Sequence, residues 1–176
     1  MLRSPVPALL LVLAGLVGLA ACSGDDDSGS DPDRATVDRG LAELYAGDHP
    51  TEDDTAAGTC FAEHLEDVST DTLRDAGVVD ASGAVVADLP QLDKDLANAW
   101  VDAQLACTDF VEASTRAQEK VTKGAIDDQA YAECLADALT DDQVRAALVA
   151  TVSGSFDDPA VDRLARAQDT CAGQAS

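Results

Sequence analysis

Aromatic side chains are scarce in this chain: one tryptophan, two tyrosines and three phenylalanines among 176 residues. The interior of one ordinary domain must then be filled by alanine, valine and leucine around Trp100, and small side chains bury less apolar area per residue. Such a core packs helices closely and gains from covalent help. Cations are scarce too, with 11 lysines and arginines against 34 acids and a formal net charge of −23. A surface of that sign repels nucleic acid and anionic headgroups, which excludes both as charge-driven partners. The longest apolar run, from about Ala8 to Ala20, falls short of the roughly 20 residues of a membrane span. No CxxC, HExxH, GxSxG, SxxK or P-loop occurs, so no catalytic residue, metal or cofactor is expected. Strand signals are nearly missing, with a loop or hairpin at 77–89 (GVVDASGAVVADL) as the one candidate.

What is present begins at the N-terminus. Arg3, the apolar run and a stretch of small residues have the anatomy of a secretory signal. Leu19-Ala20-Ala21-Cys22 resembles the bacterial lipobox, which implies diacylglycerol transfer to the Cys22 thiol and cleavage just before it. Residues 1–21 are thus expected to be a lipoprotein signal peptide. Residues 22–33 continue as SGDDDSGSDPD after the cysteine, a charge run with no apolar side chain to offset the entropy of ordering, and are expected to be a disordered acidic tether. An EF-hand reading fails, because a loop starting at Asp25 would carry Ser30 at its sixth place and Thr36 at its twelfth. With no basic patch, contact with the membrane must come from the two acyl chains, each buried methylene adding about 0.8 kcal/mol.

The body, residues 34–176, contains an internal similarity. Setting 51–65 (TEDDTAAGTCFAEHL) beneath 125–139 (AIDDQAYAECLADAL) brings Asp53-Asp54 onto Asp127-Asp128, Cys60 onto Cys134 and Leu65 onto Leu139. Further on, Asp71 and Arg74 meet Asp142 and Arg145, and Ala103-Gln104 with Cys107 meets Ala167-Gln168 with Cys171. Two copies of one module follow, at about 34–110 and 115–174. Apolar spacing of three and four predicts helices at about 128–139, with Tyr131, Cys134, Leu135, Ala138 and Leu139 inward, and at 56–68, with Ala56, Ala57, Cys60, Phe61, His64, Leu65 and Val68 inward. Thr140 to Gln143 has the form of a capping box, Ser69-Thr70-Asp71 opens another short helix, and Gly77 offers it a stop. Apolar or small residues recur from Leu92 to Val121 with no proline or glycine, which predicts one long helix closing the first module and leading into the second. The expected fold is all-α: two tandem, similar three-helix modules sharing a long central helix, each stapled by a disulfide.

Apart from Cys22, four cysteines remain in an exported, oxidising context, and three pairings are possible. If each module is one structural unit its cysteines pair internally, giving Cys60–Cys107 and Cys134–Cys171. Cys60 and His64 at i, i+4 could be half of a zinc site, but the second module has Ala138 in place of the histidine and His49 is the only other one. His64 is read as a partly buried or rim residue. Arg74 and Arg145 are read as i, i+3 partners of Asp71 and Asp142.

Lipobox, acidic tether, alanine- and aspartate-rich helical body, paired cysteines and arginine in preference to lysine together resemble small exported lipoproteins of high-GC actinobacteria. That resemblance implies a lipid-anchored location on the extracytoplasmic face of the cell membrane. The expected function is a non-catalytic binding or interaction module, with an envelope protein or cell-wall component as partner and no nucleic acid. An alternative is capture of a cation or small ligand by the acidic clusters Glu52-Asp53-Asp54 and Asp127-Asp128; an envelope enzyme comes third.

Overall fold

The computed structural model describes residues 34–176, so the expected signal peptide, the expected lipidation site at Cys22 and the expected tether lie outside the described residues. The body is all-α. Eight helices follow in order: α1 (Arg34–Ala46), α2 (Glu52–His64), α3 (Thr70–Asp75), α4 (Lys94–Cys107), α5 (Phe110–Thr122), α6 (Asp128–Ala138), α7 (Asp141–Val152) and α8 (Pro159–Gln174). Between α3 and α4 the chain makes a small hairpin turn, closed by an isolated antiparallel bridge between Val79 and Val85. Among the described residues no helix is long and apolar enough to cross a membrane.

The abundant acids and hydroxyls account for where the helices start. Thr51 and Thr140 form complete capping boxes with Asp54 and Gln143, while Asp93, Asp109, Asp127 and Asp158 each turn a carboxylate onto a backbone N–H of the first turn. Each satisfies donors that a helix start leaves without an intrahelical acceptor. Gly77, at φ 77°, takes the left-handed conformation just after α3.

The long central helix expected between Leu92 and Val121 is broken. Thr108 is extended, with φ −145° and ψ 127°, and ends α4. Asp109 then opens α5, its Oδ1 accepting from the Glu112 N–H at 2.8 Å. Continuous apolar spacing hid a local competitor: an aspartate at an N-cap offers the backbone a partner that helix continuation would forfeit. Each side of the break holds four helices rather than the expected three, because α1 and α5 precede the cysteine-bearing ones.

Two hydrophobic clusters form, of unequal size. The larger gathers Val37 and Leu41 of α1, Phe61 and Leu65 around α2, Leu73 of α3, and Leu96 and Trp100 of α4. Three of the few aromatics meet here, Tyr45 stacked on Phe61 at 4.4 Å and Phe61 edge-on to Trp100 at 4.8 Å. The approach of α1 to α2 depends on Gly58, where a Cβ would fall 2.4 Å from the Ala42 carbonyl oxygen. That contact rotates the inward stripe of α2 onto Gly58, Phe61 and Ala62, and Ala56 and His64, expected inward, are exposed. Ala138 of α6 is likewise exposed. The Arg34 guanidinium donates to the Leu65 and Val68 carbonyls just beyond α2 and so ties down the start of α1. The smaller cluster holds Tyr131, Leu135, Cys171 and Ala175. Its one buried polar neighbour, Ser114, shares a hydrogen bond with the Tyr131 hydroxyl and accepts from Gln168 Nε2, which satisfies it.

Cys60 is bonded to Cys107, joining α2 to α4, and Cys134 to Cys171, joining α6 to α8, at Cα separations of 5.7 and 5.5 Å. Between the halves, Leu92 N–H donates to the Val152 carbonyl, and Val149 and Val152 of α7 pack against the larger cluster. Arg74 pairs with Asp71 at 2.8 Å. Arg145 does not pair with Asp142: α7 lies against α4, and the guanidinium reaches across to grip both carboxylate oxygens of Asp102 at 2.6 and 2.9 Å. A bidentate grip offers better geometry than an i, i+3 contact along one helix.

Candidate binding clefts at the α4–α5 break

The break between α4 and α5 lies at the junction of two clefts, both lined by Thr108 and Asp109. The first, about 510 Å³, is polar and is walled by Asp53 and Asp54 of α2, by Asp109 and Glu112 at the start of α5 and by Arg116 in its middle, with Tyr45 and Cys107 also lining it. Arg116 binds Glu112 at 2.7 Å, so within the lining one cation stands among four acids. The Thr51 backbone and side chain donate to Asp54 and hold its carboxyl below the usual carboxylate range. Tyr45 shares a 2.8 Å hydrogen bond with Thr108 Oγ1; burial pushes its phenol above the ordinary value and that bond partly offsets it. A neutral Tyr45 phenol and a charged Asp54 carboxylate thus face one volume at neutral pH.

The second cleft, about 490 Å³, is built differently. Leu105, Phe110, Val111, Leu135, Leu139 and Val144 make its walls, with the carboxylates of Asp109 and Asp141 among them. It is a trough whose walls mix these six apolar side chains with the polar surface of Thr108, Asp109 and Asp141. A straight helix from Leu92 to Val121 would carry Thr108 and Asp109 through its interior. The extended Thr108 instead gives α5 a start of its own beside both clefts.

The residues singled out by sequence are distributed unevenly over these clefts. Asp53 and Asp54 line the first, but Asp54 is also committed to the α2 capping box. Asp127 caps α6, and neither it nor Asp128 lines either of these two clefts. Cys107 reaches the first cleft; Cys60 is half-buried beside the exposed His64, whereas Cys171 is fully buried. The Sγ atoms of Cys60 and Cys107 and a ring nitrogen of His64 all lie within 4.8 Å of one another, so α4 supplies a neighbour that the spacing of α2 alone does not reveal. His49 sits apart, in a turn with φ 74°. Sequence reasoning missed Tyr45, Thr108, Glu112, Arg116 and Phe110. The one local cue was Asp109 followed three residues later by Glu112, a helix-start pattern inside an unbroken apolar period.

Comparison with protein-family models, with curated proteins and with solved structures finds no match to this chain.

Proposed function

We propose that this chain is a lipid-anchored, extracytoplasmic binding module that receives a cationic, amphipathic segment of an envelope partner protein across the two clefts and catalyses no reaction. The observation that carries the reading is the joining, through Thr108 and Asp109, of a trough with apolar side chains in its walls to an acid-lined cleft on a chain of net charge −23. Apolar side chains of the partner fill the trough at about 25 cal/mol per Å² removed from water. Its lysines or arginines meet Asp53, Asp109 and Asp141, which speed encounter and set orientation. An amphipathic helix laid in a groove is a familiar form of such recognition. Acylation of Cys22 holds the module at the membrane, since a surface this acidic has no electrostatic hold on anionic lipid.

The test is fluorescence anisotropy with a labelled lysine/leucine amphipathic peptide and its glutamate/leucine counterpart. Only the cationic peptide should bind, more weakly at high salt, and Leu139→Lys should reduce affinity at least about tenfold, or 1.4 kcal/mol. Equal binding of both peptides, or wild-type affinity in Leu139→Lys, would remove the trough from the account. Anchoring is tested separately: protein from a lipoprotein-competent host should partition into detergent, and Cys22→Ala should not.

A second reading, cation capture, draws on the four acids of the first cleft. It requires a calcium-dependent rise in melting temperature that Asp53→Asn with Asp109→Asn abolishes. The pairing of Glu112 with Arg116 and of Asp54 with Thr51 leaves fewer carboxylate lone pairs for an ion, which favours the peptide.

A further inference from the structure

The three side chains that converge at the end of α4 carry chemistry that peptide binding does not use. Cys60 and His64 stand one turn apart on α2, and Cys107 is the last residue of α4. Their donor atoms lie within 4.8 Å of one another. A tetrahedral metal with bonds of about 2.3 Å to sulfur and about 2.0–2.1 Å to nitrogen needs donors roughly 3.5–4 Å apart. The present spread is therefore within side-chain torsion of a ligand set. While the sulfurs are bonded to each other neither is a thiolate, and no such set exists.

We propose that reduction of the Cys60–Cys107 bridge converts it, together with His64, into a three-ligand site for zinc, so that the bridge and the metal are alternative occupants of one place. A dithiol reductant delivers two electrons and two protons: the bond between the sulfurs breaks, two thiols form, and the reductant leaves as its own disulfide. Zinc then displaces both thiol protons and takes the neutral imidazole of His64 as third ligand, with water in the fourth position. Two thiolates and an imidazole suit zinc and not the hard calcium or magnesium ions.

Access agrees with this assignment. Cys60 and Cys107 are half-buried and His64 is exposed, while Cys107 also lines the cleft that carries Asp53, Asp54, Asp109 and Glu112. Those acids concentrate a dication near the sulfurs. The second bridge offers nothing similar. Cys171 is fully buried, the Cys134 sulfur has Gln174 Oε1 as a neighbour at 3.6 Å, and among the described residues no other group of three metal-ligating side chains forms.

The experiment uses the full chain in detergent, titrated anaerobically with cobalt(II) before and after reduction by a phosphine. The reduced protein should take up one cobalt per chain with thiolate-to-cobalt charge-transfer absorption, and zinc should displace it; the oxidised protein should show no such band. His64→Ala should weaken binding at least about tenfold, and Cys60→Ser with Cys107→Ser should abolish the band. His49→Ala, and Cys134→Ser with Cys171→Ser, should retain it. Circular dichroism runs alongside, and if reduction loosens the helices, stoichiometric zinc should restore them. Absence of the band in the reduced wild type, equal affinity in His64→Ala, or a reduced chain that neither binds zinc nor refolds with it overturns the proposal.

Discussion

Gly58 shows how much one hydrogen atom decides in a core of small side chains. A methyl group there would press on the Ala42 carbonyl oxygen, which belongs to helix backbone and cannot swing aside as a side chain would. Gly58→Ala should therefore destabilise the protein by about 1–3 kcal/mol, despite the better helix propensity of alanine, as read by urea unfolding. Asp102 gives the pH-dependent counterpart. The hydrogen bond from Arg145, and then its charge, hold the Asp102 carboxyl below the usual range. A carboxyl depressed in the folded state contributes stability that is whole above its unfolded value of about 3.9 and is lost as pH falls through the lower folded value. Both side chains are more than a third exposed, so the pair is worth at most about 1 kcal/mol. Asp102→Asn should lower the melting temperature slightly at pH 7, and the gap from wild type should close as pH falls below the ordinary carboxylate range. A gap that does not change with pH would assign the effect to packing instead of charge.

Among the elements, the break at Thr108 and Asp109 has the largest effect on what the molecule can bind, since both clefts share those residues. Asp109→Ala removes the acceptor of the Glu112 N–H and should cost about 1 kcal/mol, measured as a shift of the urea midpoint with unchanged slope. The starts of α6 and α7 and the stop after α3 could be read in advance, because caps and turns are local chemistry: Asp127, Thr140 and Gly77 act on backbone groups a few residues away. The two cysteine pairings could also be read, from the order of matching residues in the two halves. Other features are set by neighbours distant in sequence. Arg145 prefers Asp102, 43 residues away, over Asp142 because α7 packs on α4. The stripe of α2 turns toward Gly58 because α1 lies against it, and no count along α2 contains that. The clefts were invisible for the same reason, their walls being drawn from helices separated by tens of residues.

At the scale of the whole molecule, two bridges of similar span support two unequal cores. The closed segments, 47 and 37 residues, each stabilise by about 4 kcal/mol in the chain-entropy model. The first bridge lies beside the larger cluster with its stacked aromatics, whereas the second crosses a cluster of four buried residues. Cys134→Ser with Cys171→Ser should consequently expose the amides of α6 and α8 to rapid hydrogen exchange while α2 and α4 stay protected; uniform loss of protection would mean that the halves unfold as one. The same bridges limit how far the molecule yields to tension. Stretched between residues 34 and 176, the oxidised chain cannot pay out the two closed segments, which represent about 290 Å of contour at about 3.4 Å per residue. Pulled from its ends, the protein meets a hard stop while most of its helical chain remains slack, and a thiol that opens either bridge lengthens the leash.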